Sequence, residues 1–303
     1  MNISQGGCYM QTPSNWALLL ENVDGSNLCL GIDPHKDILE KVWGLNSTSE
    51  NLNMFWKRVL KVALEVKKLH SDNIKFGKVA AIKPQSAFFE NFGHLGIKEL
   101  EELLFQANSA KVPTILDIKR GDIGSTMDAY CEAYLNPESP LCADSITVSP
   151  FLGTTELAHV AKYAQNTNRG IFVLCRTSNT GASEIQNSRI KDNYTVAHRI
   201  FDFASEFNKG SDLPTVGLVV GATIGENDLD FANFNGPVLA PGIGAQGATI
   251  DDLSTVFASG IKNVLPSASR SILNAGPNLD DMVNAVCNTF VVDCTTIARS
   301  CND

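Results

Sequence analysis

No apolar run in this chain approaches the roughly eighteen residues that a membrane-spanning helix needs, so no span is expected. Met1 to Pro13 shows no charged flank leading into an apolar core, and no secretory leader is expected. A basic stripe is missing too. Lys and Arg number 24 against 33 Asp and Glu, giving a net charge of −9, which argues against a nucleic-acid binder. A small anionic substrate stays compatible with that balance, because a few clustered cations can oppose the global sign. The five histidines (His35, His70, His94, His159 and His198) are not spaced from one another, or from Cys or acidic residues, like metal ligands, and no zinc site is expected. The eight cysteines include no Cys-x-x-Cys pair and several sit in apolar stretches, which fits reduced thiols in a cytoplasmic protein. Pro/Gly/Ser-rich linkers, low-complexity tracts and internal sequence repeats are absent as well.

What is present is alternation. After a short helix and turn within residues 14–27, Leu28 to Asp33 reads as a strand, and Phe55, Val59, Val62, Val66 and Leu69 mark an amphipathic helix. Strands then follow at Val79 to Pro84, Val112 to Leu116, Ser145 to Ser149, Ile171 to Cys175, Thr215 to Val220, Val238 to Pro241 and Asn263 to Leu265. The intervening helices are expected at about Gly96 to Ala110, Thr126 to Leu135, Thr154 to Gln165, Asp192 to Asn208, Glu226 to Asn233 and Ile250 to Ser259, with a last one from Asp280. Eight β-then-α units without a linker imply parallel strands and a (β/α)8 TIM barrel, with a doubly wound sheet as the competing architecture. The whole chain, 1–303, is read as a single barrel domain whose residues 1–27 pack on the barrel as an N-terminal extension.

In such a barrel the chemistry lies at the C-terminal ends of the strands. The polar residues expected there are Asp33, Lys83, Asp117, Lys119, Asp122, Arg176, Ser178, Gln246 and Arg270. The densest group is Asp117-Ile118-Lys119-Arg120-Gly121-Asp122 at the end of the third strand. Strand alternation should point Asp117 and Lys119 the same way. Lys83 closes the neighbouring second strand. Lys83, Asp117, Lys119 and Asp122 would then alternate in charge, each Lys keeping its Asp ionised. An ion pair tying strand to helix is the structural alternative, but buried ion pairs seldom stabilise better than apolar packing does. Gly242-Ile243-Gly244-Ala245-Gln246-Gly247 follows the seventh strand, too late in the chain and without the later acidic residue of a dinucleotide site. A backbone phosphate cradle is the better reading, with Arg270 after strand eight gripping the same anion. A Gly-rich turn beside a surface Arg is the alternative. Arg176 to Glu184, small and polar, suits a mobile lid or an idle surface loop.

The Asp-x-Lys-x-x-Asp-Ile-Gly-x-Thr pattern of Asp117 to Thr126 resembles the orotidine 5′-phosphate decarboxylase family, and Lys-Arg-Gly-Asp-Ile-Gly its longer-chain subgroup. The resemblance implies decarboxylation of orotidine 5′-monophosphate to uridine 5′-monophosphate without a cofactor, as the last step of de novo pyrimidine biosynthesis. It further implies that Lys83, Asp117, Lys119 and Asp122 are the catalytic tetrad, with Lys119 as proton donor. Asp33 would hold a ribose hydroxyl, Ser178 the pyrimidine, and Gly244, Gln246 and Arg270 the phosphate. The enzyme would be a homodimer with Asp122 and Thr126 reaching into the partner's site. Three rivals stay open: a metal-dependent decarboxylase or aldolase for a sugar phosphate, a Schiff-base enzyme using Lys83 or Lys119, and a non-catalytic nucleotide-phosphate binder.

Overall fold

The computed structural model describes residues 12–23, 27–72, 78–225, 228–244 and 247–291. Eight parallel strands form one sheet: β1 (Leu28–Ile32), β2 (Val79–Pro84), β3 (Ile115–Arg120), β4 (Ser145–Val148), β5 (Gly170–Arg176), β6 (Val216–Val220), β7 (Val238–Pro241) and β8 (Val264–Ala268). Their order around the sheet is β2-β1-β8-β7-β6-β5-β4-β3. The ring is closed between β2 and β3 by two isolated parallel bridges, Ile82 with Thr114 and Gln85 with Asp117. Near-continuous apolar strands flanked by amphipathic helices dictate this arrangement, since each strand must bury both faces. The outcome is the expected barrel.

Two apolar layers result. Between strands and helices runs a large cluster that includes Phe55, Trp56, Leu100, Ile146, Ile200 and Phe257. Inside the ring, Cys29, Ala81, Ile115, Phe172, Val219, Leu239 and Leu265 meet, capped by Trp16 and Leu19 from the helix Trp16–Glu21. Trp16 is 1% exposed, packs edge-on to Phe172 and donates its Nε1–H to the Pro214 carbonyl at 3.0 Å. Gly170 gives it room: a Cβ there would lie 2.3 Å from the indole. The residues leading into this helix are tied down as well. Buried Arg169 donates to the Thr12 carbonyl, and Asp144 accepts from the Asn15 amide. Residues 12–23 therefore seal the end of the barrel where the strands begin; residues 1–11 and 24–26 lie outside the described set.

Four stretches differ from the sequence expectation. The helix expected from Asp192 begins at Val196, and Arg189–Lys191 pairs with Tyr194–Thr195 as a small hairpin turning through Asp192 at φ +41°. Thr195 caps that helix in a reciprocal box with His198, a partner that the usual Glu or Gln signature does not reveal. Of the helix expected over 226–233, only the single 3-10 turn Phe231–Asn233 is present, and 226–227 are outside the described residues. Strand β8 runs on to Ala268, beyond the expected Leu265, so its end carries Ser267 and Ala268 up to the rim. The stretch Arg176 to Glu184 contains the start of a short helix, Ala182–Gln186.

Replacing Trp16 by Ala should cost about 3–5 kcal/mol of stability, the usual penalty for emptying a large buried aromatic site. Denaturant unfolding checks this, and a loss below about 1 kcal/mol would contradict the sealing role given to Trp16.

Candidate active site

The barrel mouth is built around Asp117. Its β3 backbone forms a bridge to Gln85 of the chain following β2, which brings Lys83 within reach. Asp117 is 5% exposed and Lys83 is 7% exposed. The Lys83 ammonium donates to Asp117 Oδ2 at 3.0 Å, and Gln85 Nε2 donates to the same oxygen at 2.9 Å. Lys119 Nζ donates to Oδ1 at 2.5 Å, and the Thr147 hydroxyl also donates to Oδ1, at 2.8 Å. All four donors converge on one buried carboxylate. The lysines differ, however: the Lys83 side chain is 9% exposed and that of Lys119 is 45% exposed. Lys83 is the fixed partner, and Lys119 faces the open mouth.

Burial pushes the Asp117 carboxyl upward, but the charges and hydrogen bonds of Lys83 and Lys119 outweigh it and hold the group well below the usual carboxylate range. Burial likewise pulls the Lys83 ammonium down, and Asp117 and Asp33 raise it above its ordinary value. Both groups therefore stay charged at neutral pH. Cys29 beneath them is pushed up to about 12 by burial, so it lies there as a neutral thiol.

Lys83, Asp117, Lys119, Thr147, Ser178 and Asn179 line a cavity of about 200 Å³, together with the apolar side chains of Leu174, Val219 and Leu239. Ser178 is thus brought to the charged group, as its place after β5 suggested. The loop carrying it is braced from behind: Gln186 accepts from the Thr177 amide at 2.8 Å and donates to the Thr177 hydroxyl at 2.7 Å. Asp33 follows β1, whose Gly31 is in register with Lys83. Its Oδ1 is buried without a hydrogen-bond partner among the described residues, as is Ser269 Oγ after β8, so the mouth holds polar atoms available to a ligand's hydroxyls.

Other expected site residues lie apart from this cavity. Asp122 is half-buried and accepts from the Ile123 amide at 2.8 Å, while Thr126 is exposed; neither lines the cavity of its own chain. Arg270 is exposed and lines a second cavity of about 720 Å³ with His35, Phe88, Phe92 and Asn274. Gly242, Gly244 and Gly247 all have positive φ, the backbone that only glycine adopts freely. Yet the Gly244 amide donates to the Ala248 carbonyl and the Gly247 amide to the Gly244 carbonyl, so neither is open to an anion in this conformation. Gln246 lies outside the described residues. Arg176 does not line the cavity and donates to Asp228 Oδ1 at 2.6 Å. Gln85 and Thr147, both touching Asp117, were not singled out from the sequence: a Gln past a strand end and a Thr within a strand carry no motif.

A closed parallel barrel with an ion-paired lysine–aspartate group at the C-terminal ends of its strands has the architecture of a TIM-barrel enzyme. The chain belongs to the orotidine 5′-phosphate decarboxylase / HUMPS family, whose model matches residues 26–282. An orotidine 5′-phosphate decarboxylase of Salinispora tropica is 44% identical over 268 residues, 88% of this chain and 91% of the relative. That of Streptomyces coelicolor is 40% identical over 270 residues, 89% and 92% of the two chains. Among solved structures, a Streptomyces avermitilis protein assigned as an orotidine 5′-phosphate decarboxylase superimposes with a TM-score of 0.82 at 38% identity, covering 96% of this chain and 98% of the other. The OMP decarboxylase of Leishmania donovani gives a TM-score of 0.66 at 28% identity, covering 92% and 98%.

The sign of the Asp117 perturbation yields a test. A carboxyl depressed on folding contributes stability above its unfolded pKa, and that contribution disappears as pH falls through the folded value. In Lys83→Met the strongest charge opposing burial is gone, so Asp117 should take up a proton at higher pH and acid unfolding should set in at higher pH. An acid-unfolding midpoint equal to that of the unsubstituted protein would contradict this account of Asp117.

Proposed function

We propose that this chain removes carbon dioxide from orotidine 5′-monophosphate to give uridine 5′-monophosphate, without a cofactor, with Lys119 as the proton donor. The observation that carries the reading is Asp117, held ionised between a buried and a solvent-facing lysine on the wall of a cavity, in a chain of the decarboxylase family. In this reaction the bond from the ring carbon to the carboxylate breaks, its electron pair stays on the ring carbon, and carbon dioxide leaves. The Lys119 ammonium stabilises that charge and transfers a proton to the same carbon; solvent then restores the ammonium. Asp117 lies where the departing carboxylate is least welcome, and Lys83 and Gln85 keep it from moving aside.

One well-placed donor supplies only about 3–4 kcal/mol, whereas enzymatic barrier reductions run from about 8 to 23 kcal/mol. The remainder must come from contacts remote from the ring. Arg270 and the glycine loop around Gly244 and Gln246 are assigned to the phosphate, Asp33 to a ribose hydroxyl and Ser178 to the pyrimidine. The separation of Arg270 from the 200 Å³ cavity suits a handle placed at the far end of a nucleotide.

We read the working unit as a homodimer in which Asp122 and Thr126 complete the partner's site. Their absence from their own chain's cavity supports this, as do the exposed Ile123 (59%), Phe151 (76%) and Leu152 (48%) in the loops after β3 and β4. The whole chain is read as one domain. A cytoplasmic setting is in keeping with the free thiols of Cys29, Cys131, Cys142, Cys175 and Cys287. No helix of the described residues is long and apolar enough to cross a membrane.

Purified protein given orotidine 5′-monophosphate in excess chelator should consume the orotate absorbance, and Lys119→Ala should not, while remaining folded by circular dichroism. Turnover by Lys119→Ala would refute its role, and turnover that stops in chelator would favour the metal-dependent sugar-phosphate reading. Lys119→Ala and Asp122→Ala, each inactive alone, should regain activity when mixed and refolded together. A mixed dimer then has one site with both residues intact, and a mixture as inactive as its components would place Asp122 outside the partner's site.

A further inference from the structure

The pairing of β3 with β4 slips at the catalytic residues. Leu116 pairs with Ile146 and Arg120 with Val148, so Asp117, Ile118 and Lys119 all lie opposite the single residue Thr147. Such a bulge takes backbone groups out of the sheet ladder and re-aims the side chains on it. Lys119 sits in the bulge at φ +47°, a left-handed conformation that a side chain with a Cβ seldom adopts unless its surroundings hold it there.

Thr147 is what holds it. Its side chain is buried, at 1% residue exposure, and its hydroxyl is used in both directions. It accepts from the Lys119 amide at 3.0 Å and donates to Asp117 Oδ1 at 2.8 Å, the oxygen that also receives the Lys119 ammonium at 2.5 Å. Lys119 N–H, Thr147 O–H, the Asp117 carboxylate and the Lys119 ammonium thus form a closed circuit that fixes both ends of one lysine. We propose that Thr147 is a positioning residue for the decarboxylation, its hydroxyl spanning the bulge to keep the Lys119 backbone left-handed and its ammonium in register with Asp117. This rests on the functional reading given above and adds to it a residue that does no chemistry itself.

The role belongs to the hydroxyl and not to the shape, which makes the test selective. Valine keeps the branched outline and removes both hydrogen bonds; serine keeps the hydroxyl and removes a methyl group. Thr147→Val should lower kcat by about 10- to 100-fold, in keeping with leaving a buried amide and a carboxylate lone pair unpaired. Its affinity for uridine 5′-monophosphate should stay within about twofold, since a hydrogen bond lost only from the reacting group leaves ground-state binding nearly unchanged. Thr147→Ser should recover most of kcat. Amide hydrogen exchange at Lys119 should accelerate in the valine protein and not in the serine protein. Unchanged kcat and unchanged Lys119 exchange in Thr147→Val would overturn the proposal. So would equal losses of kcat, nucleotide affinity and thermal midpoint in both variants, which would make Thr147 a packing residue. The exchange measurement needs no turnover, so its failure is separable from a failure of the unsubstituted protein to consume orotidine 5′-monophosphate.

Discussion

Everything at the mouth of this barrel depends on keeping one carboxylate ionised where water scarcely reaches. Left to burial alone, Asp117 would take up a proton and Lys83 would lose one, and the site would become a neutral hydrogen-bonded pair of no catalytic use. Two lysines on one carboxylate reverse that outcome. Asp33 stands close enough to Lys83 to raise it as well, so the two lysines are offset by two carboxylates and the group is near neutral overall. The two lysines differ in exposure: Lys83 is enclosed, and Lys119 faces the open mouth.

The two ends of the barrel are made of opposite materials. Trp16, Leu19, Phe172 and Leu265 pack the end where the strands begin, and the ionic group stands where they finish. The apolar layer reaches up to the charges, since Leu174, Val219 and Leu239 line the same cavity as Lys83 and Asp117. Fixed dipoles and charges act more strongly beside such walls than in water, because little solvent is there to rearrange against them.

Much of this was legible in the chain, and the reasons are specific. Parallel strands buried on both faces must be apolar throughout, so a charged residue at the end of such a run, such as Lys83 or Asp117, stands out. Spacing of two along β3 put Asp117 and Lys119 on one side, although in the folded chain a bulge and a left-handed backbone bring them together, and alternation alone does not. Thr147 was silent because threonine is an ordinary strand residue whose hydroxyl matters only once the register slip is known. Residues 192–195, the second half of the hairpin, were read as the start of a helix because the positive-φ Asp192 and the Thr195–His198 cap leave no pattern in a hydrophobic period. Asp122 and Arg270 showed the limit of chain order: position after a strand names the rim, and not which cavity a side chain lines.

The ring of strands has one loosely stitched seam. Between β2 and β3 the ladder is reduced to two isolated bridges, and the upper one joins Gln85 to Asp117 itself. Side chains reinforce that seam, Lys83 of β2 and Gln85 just beyond it both donating to the carboxylate of Asp117 on β3. Completing the cylinder and assembling the charged group are therefore a single structural event: a chain that has not closed its barrel leaves Asp117 without Lys83, and one that has closed it already holds the two together.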